Sequence, residues 1–582
     1  MSEYGIPIKL IQAGSIYEYN TGIRDRLDMK DAILINSLFK DFIVDHGLNV
    51  WKDGSTRDII CLNFSYGSRS YKDEIKHLKK TKRSVINDDS IDYETKRDKL
   101  VYITKLEERA EQNKDKYVKI NNRALRTLYY KEGCSITYNT YNRNGKIVKS
   151  ETIHYKMMGR SPGKAKTGKC LFICDRLYDI AMDYLYMGIK LPEKNAPIVE
   201  IGAYSSLATS SIVGKIKIDP YNVLILKDVD SFFETDAISV ELNENDECIA
   251  VPKKNYKLKN TMFDGQALID SSIFPSWADG YILLRNHFCK MAAFCSNIQL
   301  FFKDYCNEHN IDYEKYKLQD MFGNWHYAKD IQVITTDNAV KWLKFDGITY
   351  DYWCDRVRQD NDSYFGIVKT SHQSKLGDVQ QMSYQMVNAL DMNTMDGVME
   401  CTVTYVDQLK NDDEIFIEYL ERNMNFSNDY EVLIALVRYD PDFVYSSYFK
   451  ERRDRIVRSY INSIKTGKVI NNADNLTIVG NPYGMLMHTV GENPETDPTF
   501  QNEEDAIQCY TARFDDGEYL AEFRNPFNSC NSLGYLHNHY DWRFDKYFNL
   551  GRYCIAVNMV HTPIQDRNNG LTYWPSSEEI LF

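Results

Sequence analysis

The sequence predicts an α+β protein in which strand-rich blocks are separated along the chain by a helical connector. Residues 126–260 and 476–582 contain short runs of alternating apolar and polar residues, punctuated by Gly, Asn and Pro. Residues 372–470 instead favour helix, with long runs that are low in Gly and Pro. At 582 residues the chain is too long for a single core, so about two to four domains are expected.

Bulk composition is that of a globular protein and excludes several classes. The formal charge is −12, from 71 basic and 83 acidic residues, which argues against a protein that coats nucleic acid non-specifically. An enzyme that acts on nucleic acid is still allowed, because it needs only a basic channel. Apolar runs are too short to span a membrane, and Met1–Asn20 lacks a signal-peptide run. The 13 cysteines include no C-x-x-C pair, so we expect a cytoplasmic protein without a disulfide framework or structural zinc.

The N-terminal 125 residues are predicted to be mixed. Ile6–Ile11 and Ile59–Phe64 are typical of strands, and Met29–His46 is predicted to be helical. Residues 67–125 are charged and low in Gly and Pro, which predicts a helical hairpin broken at VINDDSID. The basic residues of this hairpin suit either a solvated arm or a rail for a nucleic-acid backbone.

A basic loop follows in the strand-rich block. The run GKAKTGKC, Gly163–Cys170, matches the spacing of a phosphate-binding P-loop, but Cys170 replaces the hydroxyl that would bind Mg²⁺. The following CLFIC predicts a strand, whereas a P-loop needs a helix there. The interpretation is a basic loop that contacts phosphates, with Arg160 and Lys164 as candidate binding residues, or else a surface turn.

Three lysines further along are candidate phosphate-contacting residues. Lys290 stands in the apolar run HFCKMAAFC, where burial is costly unless the ammonium meets an anion; strand alternation could instead turn it to solvent. Lys341 and Lys344, in VITTDNAVKWLKFDG, would share a face on a helix and point to opposite faces on a strand. Ahead of them, Asp264-Gly265 is predicted to form a turn.

The C-terminal block adds a candidate arginine. Arg524 precedes Asn525-Pro526 at the end of a predicted strand, where the chain must be extended. An arginine fixed there suits a ribose or phosphate oxygen. Nearby histidines have no carboxylate or Cys at a convincing ligand spacing, so no metal site is predicted from them: His537, His539 and His561.

Taken in order, these segments resemble the two-barrel RNA polymerases, in particular the silencing-type and single-chain phage members. The segments are MFDGQALID, Lys290, TTDNAVKWLKF, RNPFNSCNSLGYLHN and IAVNMVHTPIQDRNNG, which together span roughly 261–570. The resemblance implies two double-psi β-barrels joined by the helical connector. The domains expected are 1–125, mixed with the hairpin; 126–260, strand-rich; 261–371, first barrel; 372–475, connector; and 476–582, an incomplete second barrel.

The resemblance also implies a function, namely template-dependent RNA synthesis from nucleoside triphosphates by a two-Mg²⁺ mechanism. Lys290 and Lys341 or Lys344 would contact nucleotide and nascent-chain phosphates as catalytic residues. Arg524 would lie near the ribose of the incoming nucleotide. The implied partners are a nucleic-acid template and nucleoside triphosphates, and no membrane.

The chain departs from the family where the metal ligands are expected. After Gly570 the family places three carboxylates that hold Mg²⁺, whereas this chain reads LTYWPSSEEILF. Glu578 and Glu579 are adjacent and would point apart on a strand. The sequence therefore predicts that the Mg²⁺ ligands are absent and that this chain is inactive alone. It is then a polymerase fragment, one half of a split polymerase whose metal loop lies on a second chain, or a non-catalytic nucleic-acid-binding or assembly protein of a phage or mobile element.

Overall fold

The computed structural model describes most of the chain. The described residues are 5–24, 27, 29–65, 67–88, 92–142, 146–159, 168–192, 197–373, 376–377, 379–381, 392–425, 428–503, 506–524, 533–562 and 579–581. The chain divides into two compact units. The first comprises Met1–Lys215, Arg285–Phe288 and Phe345–Gly366, and the second comprises Ile216–Leu284, Cys289–Lys344 and Ile367–Phe582.

Helices and strands occur in both units, which confirms the predicted α+β class. The strands are β1 (Ile6–Gln12), β2 (Met29–Leu34), β3 (Ile59–Asn63), β4 (Cys134–Tyr141), β5 (Ile147–Gly159), β6 (Lys169–Cys174), β7 (Gly214–Lys217), β8 (Val223–Leu226), β9 (Asp230–Leu242), β10 (Cys248–Thr261), β11 (Gln266–Asp270), β12 (Tyr281–Asn286), β13 (Cys289–Ser296), β14 (Lys317–Gln319), β15 (Trp325–Tyr327), β16 (Val333–Thr336), β17 (Tyr364–Thr370), β18 (Val379–Gln381), β19 (Ile470–Asn472), β20 (Asn475–Gly480), β21 (Ile507–Tyr510), β22 (Tyr519–Arg524), β23 (Leu533–Asn538), β24 (Cys554–Val557) and β25 (Glu579–Leu581). The helices are α1 (Ala13–Asn20), α2 (Leu38–Asp45), α3 (Tyr71–Ile86), α4 (Tyr93–Gln112), α5 (Asn122–Glu132), α6 (Asp175–Leu185), α7 (Ile198–Tyr204), α8 (Ile298–Glu308), α9 (Tyr350–Asn361), α10 (Met395–Asn411), α11 (Asp413–Asn423), α12 (Tyr430–Tyr439), α13 (Ser447–Ile464), α14 (Pro482–Thr489) and α15 (Trp542–Tyr547).

The first unit is built on a six-stranded sheet in the order β2-β1-β3-β6-β5-β4. β1 and β3 are parallel, and the other neighbours are antiparallel. The helix predicted over Met29–His46 is confirmed only for Leu38–Asp45, and the prediction is wrong for Met29–Leu34. Met29–Leu34 pairs with β1 instead, and the helix begins only at Leu38, where the Ser37 hydroxyl accepts a hydrogen bond from the Lys40 amide at 3.1 Å.

Two consecutive helices, α3 and α4, occupy the region where the sequence predicts a helical hairpin. The side chains of Ser70 and Asp92 cap their N-termini. Lys82 of α3 and Glu107 of α4 form an ion pair at 2.9 Å, and each helix buries a leucine or isoleucine, Leu78 and Ile103. Across the described ranges, no helix is long and apolar enough to cross a membrane.

The second unit contains a closed six-stranded barrel in the order β20-β24-β21-β23-β22-β25. The barrel consists of two successive segments of the same kind, each a strand, a helix and two strands. The first is β20-α14-β21-β22 and the second is β23-α15-β24-β25. β20, β21 and β22 of the first segment correspond to β23, β24 and β25 of the second. Exchanging each strand with its counterpart leaves the order of strands around the barrel unchanged, and it converts the parallel pair β20-β24 into the parallel pair β21-β23. The barrel therefore has an internal two-fold symmetry of topology.

A seven-stranded sheet, β7-β17-β12-β13-β11-β16-β8, repeats the barrel's strand order. Leaving out β7, the other six strands of this sheet are β8, β11, β12, β13, β16 and β17. If they are numbered one to six along the chain, their order across the sheet from β8 is first, fifth, second, fourth, third, sixth. The barrel strands β20 to β25 lie in that same order. The first and fifth strands, and the second and fourth, are parallel in both. The sheet remains open because β17 has β7 as its other neighbour, whereas β25 pairs back to β20.

Sheet and barrel approach each other closely within the second unit. The Gln266 side-chain amide donates to the Gly480 carbonyl at 3.0 Å, and its carbonyl oxygen accepts from the Gly480 amide at 2.8 Å. Gly280, with φ of +64°, lies against the Leu550 backbone. One apolar core includes residues of both, among them Phe294 and Val557. The connector between them contains α10 to α13 around a smaller core centred on Phe416 and Phe449.

Candidate functional site

The Asp264-Gly265 turn lies at the start of β11, as the sequence predicts. The Gln266 amide donates to the Phe263 carbonyl at 3.0 Å and closes the turn, and Gly265 adopts a φ of 69°. Glycine reaches that conformation without the steric cost that a Cβ imposes. The turn places the half-buried Asp264 side chain at the junction of sheet and barrel, beside a cavity of about 20 Å³ that Gln266 and Gly480 also line.

Lys290 lies at the start of β13, between that turn and a second one. Its amide donates to the Ala339 carbonyl at 2.9 Å, and two residues on the Ala292 amide donates to the Gly265 carbonyl at 2.9 Å. Cys289 and Val340 form an isolated antiparallel bridge. The backbone around Lys290 is therefore hydrogen bonded both to the Asp264-Gly265 turn and to the segment that leads into Lys341.

Lys341 and Lys344 occupy neither the helix nor the strand that their spacing allowed. They begin and end a short 3₁₀ turn, Lys341–Lys344. Trp342 within this turn is buried and its ring stacks on Phe322, with the ring centroids 5.6 Å apart. The Lys341 ammonium donates to the Asn338 carbonyl. The buried tryptophan thus fixes the turn that carries both lysines.

All three lysines act electrostatically on one carboxyl group. Burial raises the pKa of Asp264, while the ammonium groups of Lys341, Lys290 and Lys344 each lower it. Asp337 also raises the pKa of Asp264, but its own carboxylate is ion-paired with Lys227. The backbone link between Lys290 and Ala339 therefore brings Lys290 near the segment of Lys341 and Lys344, and the ammonium groups of all three lysines act on Asp264. This neighbourhood is rich in ammonium groups and suits a polyanion.

Asp228 supports this arrangement and was missed by the sequence analysis. One of its carboxylate oxygens accepts from the Phe263 amide at 3.1 Å, and the other accepts from Thr336 Oγ1 at 2.8 Å and from Asn338 Nδ2 at 2.9 Å. Asp228 thus joins the turn at Asp264 to the segment before Lys341. A signal was present, because an acidic residue follows the apolar run VLIL after a single lysine.

Burial raises the pKa of Asp228 to about 6, which gives a pH-dependent prediction. This folded-state value exceeds the unfolded value of 3.8, so the folded protein binds the extra proton between these pH values. The contribution of Asp228 to stability is therefore greatest below about pH 4 and is lost as the pH rises through 6. We expect the free energy of unfolding of the wild type, relative to Asp228→Asn, to fall by about 2–3 kcal/mol between pH 4 and 7.

Urea titrations of both proteins across that pH range measure this difference. The control is Asp246→Asn, which alters an exposed aspartate between β9 and β10. A wild-type advantage over Asp228→Asn that stays constant, or that grows with pH, contradicts the prediction.

The remaining candidate residues are less fully described. Arg524 ends β22, where its backbone pairs with Ile580 of β25, but its side chain lies outside the described atoms. Arg160 and Lys164 lie outside the described residues, as do Asn569-Gly570 and the segment that follows up to Glu578. The structure does show β6 over Lys169–Cys174, so the predicted strand at Cys170 is confirmed.

The acidic and histidine side chains around the candidate site contact other groups of the protein. No group of three His, Cys, Asp or Glu side chains among the described residues is arranged to hold a metal ion. The ammonium groups of Lys341, Lys290 and Lys344 act electrostatically on Asp264, and Asp228 accepts hydrogen bonds from its neighbours. His537 pairs instead with Glu503 at 2.8 Å, and His561 contacts the Phe232 carbonyl at 2.9 Å.

Comparison with known proteins finds similarity among solved structures. No protein-family model matches the chain, and no curated protein matches it. Among solved structures, the chain is similar to RNA dependent RNA polymerase QDE-1 from Thielavia terrestris, with a TM-score of 0.47 and 10% sequence identity. The match covers 100% of this chain and 54% of that chain, so this chain spans about half the length of that polymerase. A similarity of this size does not define the function of the chain.

Proposed function

We propose that the chain is an RNA polymerase-like protein of the cytoplasm that binds the phosphates of nucleoside triphosphates and of a nucleic-acid template at the lysine site. The observation that carries this proposal is the backbone pairing that joins the start of β13, at Lys290, to the segment leading into Lys341, with the ammonium groups of Lys290, Lys341 and Lys344 all acting on Asp264. These are the lysines that the polymerase resemblance singles out. The shared strand order of sheet and barrel supports a two-barrel architecture of the double-psi kind.

The lysine site suits phosphate better than a small neutral ligand. Ammonium groups make charge-assisted hydrogen bonds to phosphate oxygens, which are stronger than neutral ones. The three lysines come from two segments, β13 and the 3₁₀ turn, which are tied together by the Lys290 amide and the Ala339 carbonyl. A bound triphosphate would therefore meet ammonium groups on a scaffold that is already ordered. Arg524 is proposed to contact the ribose, in keeping with the resemblance.

Nucleotidyl transfer is proposed to need groups beyond the described residues. The two-metal reaction requires carboxylates that hold Mg²⁺, and no group of three possible metal ligands occurs among the described residues. We propose that a second chain, or sequence beyond this chain, supplies those carboxylates, and that this chain binds and orients the phosphates. Template-dependent incorporation of nucleotides with Mg²⁺ is expected to be undetectable for this chain alone.

A double substitution, Lys290→Ala with Lys341→Ala, tests the proposed site. Removing two charge-assisted phosphate contacts of about 1.5–3 kcal/mol each should raise the Kd for a nucleoside triphosphate at least about a hundredfold. Isothermal titration calorimetry with ATP and GTP, at a fixed salt concentration, measures the change.

The matched control is Lys254→Ala with Lys468→Ala, which removes two exposed lysines of the same unit. This control keeps the charge change but leaves the lysine site intact, so its Kd should stay within about threefold of the wild type. Equal Kd values for the two double variants would disprove the proposed site. Unchanged circular dichroism in both shows that folding is not the cause.

A further inference from the structure

A second basic surface lies on the outer face of α3, in the first unit. Lys72, Lys76, Lys79 and Arg83 are all exposed. Their spacings of four, three and four residues place them on one face of the helix. At 1.5 Å per residue this basic stripe is about 16 Å long, with one cation in almost every turn.

The stripe has no ion-paired carboxylate among the described residues, although Lys76 lies close enough to Asp73 to lower the pKa of that carboxyl group. Among the described residues, none of the four basic side chains belongs to an ion pair. The acidic residues of α3 pair elsewhere, Asp73 with Lys119 at 3.2 Å and Glu74 with Arg69 at 2.9 Å. Like charges three and four residues apart destabilise a helix. A merely solvated face would avoid this cost by alternating the signs of its charges.

α3 is held so that the stripe faces outward. Leu78 is buried on the opposite side, and Lys82 pairs with Glu107 of α4 at 2.9 Å. The Ser70 hydroxyl caps the helix through the Asp73 amide at 3.2 Å. The basic residue that does pair across the hairpin, Lys82, thus lies off the stripe. The four stripe residues remain in a row on an anchored helix.

We propose that the basic stripe of α3 binds the sugar–phosphate backbone of a nucleic-acid strand, without reading its sequence. A linear row of cations matches the linear row of charges on such a strand, and phosphate contacts provide affinity without sequence information. The whole chain carries a net charge of −12, so a polyanion is drawn to local basic surfaces of this kind rather than to the protein at large. This surface belongs to the first unit and does not depend on the lysine site of the second.

The test uses the full chain and the variant Lys72→Gln, Lys76→Gln, Lys79→Gln, Arg83→Gln. Its control also removes four positive charges, through Lys96→Gln, Lys99→Gln, Lys105→Gln and Lys131→Gln on α4 and α5. Labelled single-stranded RNA, single-stranded DNA and duplexes are titrated between about 50 and 200 mM salt. The stripe variant should lose at least about tenfold in affinity at the lowest salt. Its slope of log K against log salt should fall by about three.

The control separates the stripe from net charge, and an equal loss in the two variants would overturn the proposal. Nucleic-acid binding that is unchanged in the stripe variant also overturns it. The stripe variant should keep the ATP affinity of the wild type, so failure of this proposal is distinguishable from failure of the lysine site. Each single variant, Lys76→Gln or Lys79→Gln, should lower the slope by about one.

Discussion

Replacing Gly280 with alanine is expected to destabilise the second unit by more than about 3 kcal/mol. A Cβ at this position would lie 1.7 Å from the Leu550 carbonyl oxygen and 2.5 Å from its carbonyl carbon. Both are backbone atoms beside the barrel strand β24, so they cannot move aside as a side chain can. The positive φ of +64° adds the strain of a left-handed conformation. Urea unfolding followed by tryptophan fluorescence measures the loss.

Gly491→Ala is the matched control for that experiment. Gly491 has a φ of +84°, but nothing lies within 4 Å of a Cβ built there. Gly491→Ala should therefore reduce the free energy of unfolding only by the strain of the left-handed backbone conformation, about 1–2 kcal/mol. If Gly280→Ala and Gly491→Ala lose the same free energy of unfolding, the close approach between Gly280 and Leu550 does not contribute to the cost of the alanine at position 280.

Gln266→Leu is expected to cost about 2–5 kcal/mol, because it removes both hydrogen bonds to Gly480. The Gly480 amide and carbonyl are buried with the Gln266 side chain, and each unsatisfied group costs about 1–3 kcal/mol. Leucine fills similar space, so the loss reports on the hydrogen bonds rather than on a cavity. The same urea titration measures this change.

Hydrogen exchange at the Gly480 amide provides the specific readout for Gln266→Leu. Exchange should become faster in the variant, because the amide loses its acceptor. The control is Gln319→Leu, an exposed glutamine of β14, which should leave the stability of the barrel and the exchange rate at Gly480 unchanged. Unaltered exchange in Gln266→Leu would show that another group satisfies the Gly480 amide.

Local sequence patterns predicted the features that depend on a few neighbouring residues. The Asp264-Gly265 turn follows from turn chemistry, because only glycine adopts its φ of 69° without strain. The strand at Cys170 follows from a continuous apolar run. The α+β class follows from blocks of differing periodicity. Each of these signals lies within about ten residues, the range over which periodicity is informative.

Features that depend on distant partners were not predictable in this way. Met29–Leu34 becomes a strand because β1 pairs with it, whatever its own pattern favours. Lys341 and Lys344 lie on a 3₁₀ turn that is fixed by burial of Trp342 against Phe322. Asp228 is important through hydrogen bonds to residues more than thirty positions away, such as Thr336. Strand order, likewise, is set by pairings over long separations and leaves no local signal.

The symmetric barrel also determines when this part of the molecule can fold. β20 and β25 close the barrel by pairing Asn475 with Leu581, so closure brings together residues from opposite ends of the segment. Contacts over such a separation carry a large loop-closure entropy and form slowly. On the ribosome, β20 is synthesised long before β25. Until β25 is made, the edge of β20 that β25 will cover stays unpaired and can pair with other strands. The connector helices, whose contacts are local, should by then be complete, whereas closure of the barrel has to wait until β25 is made.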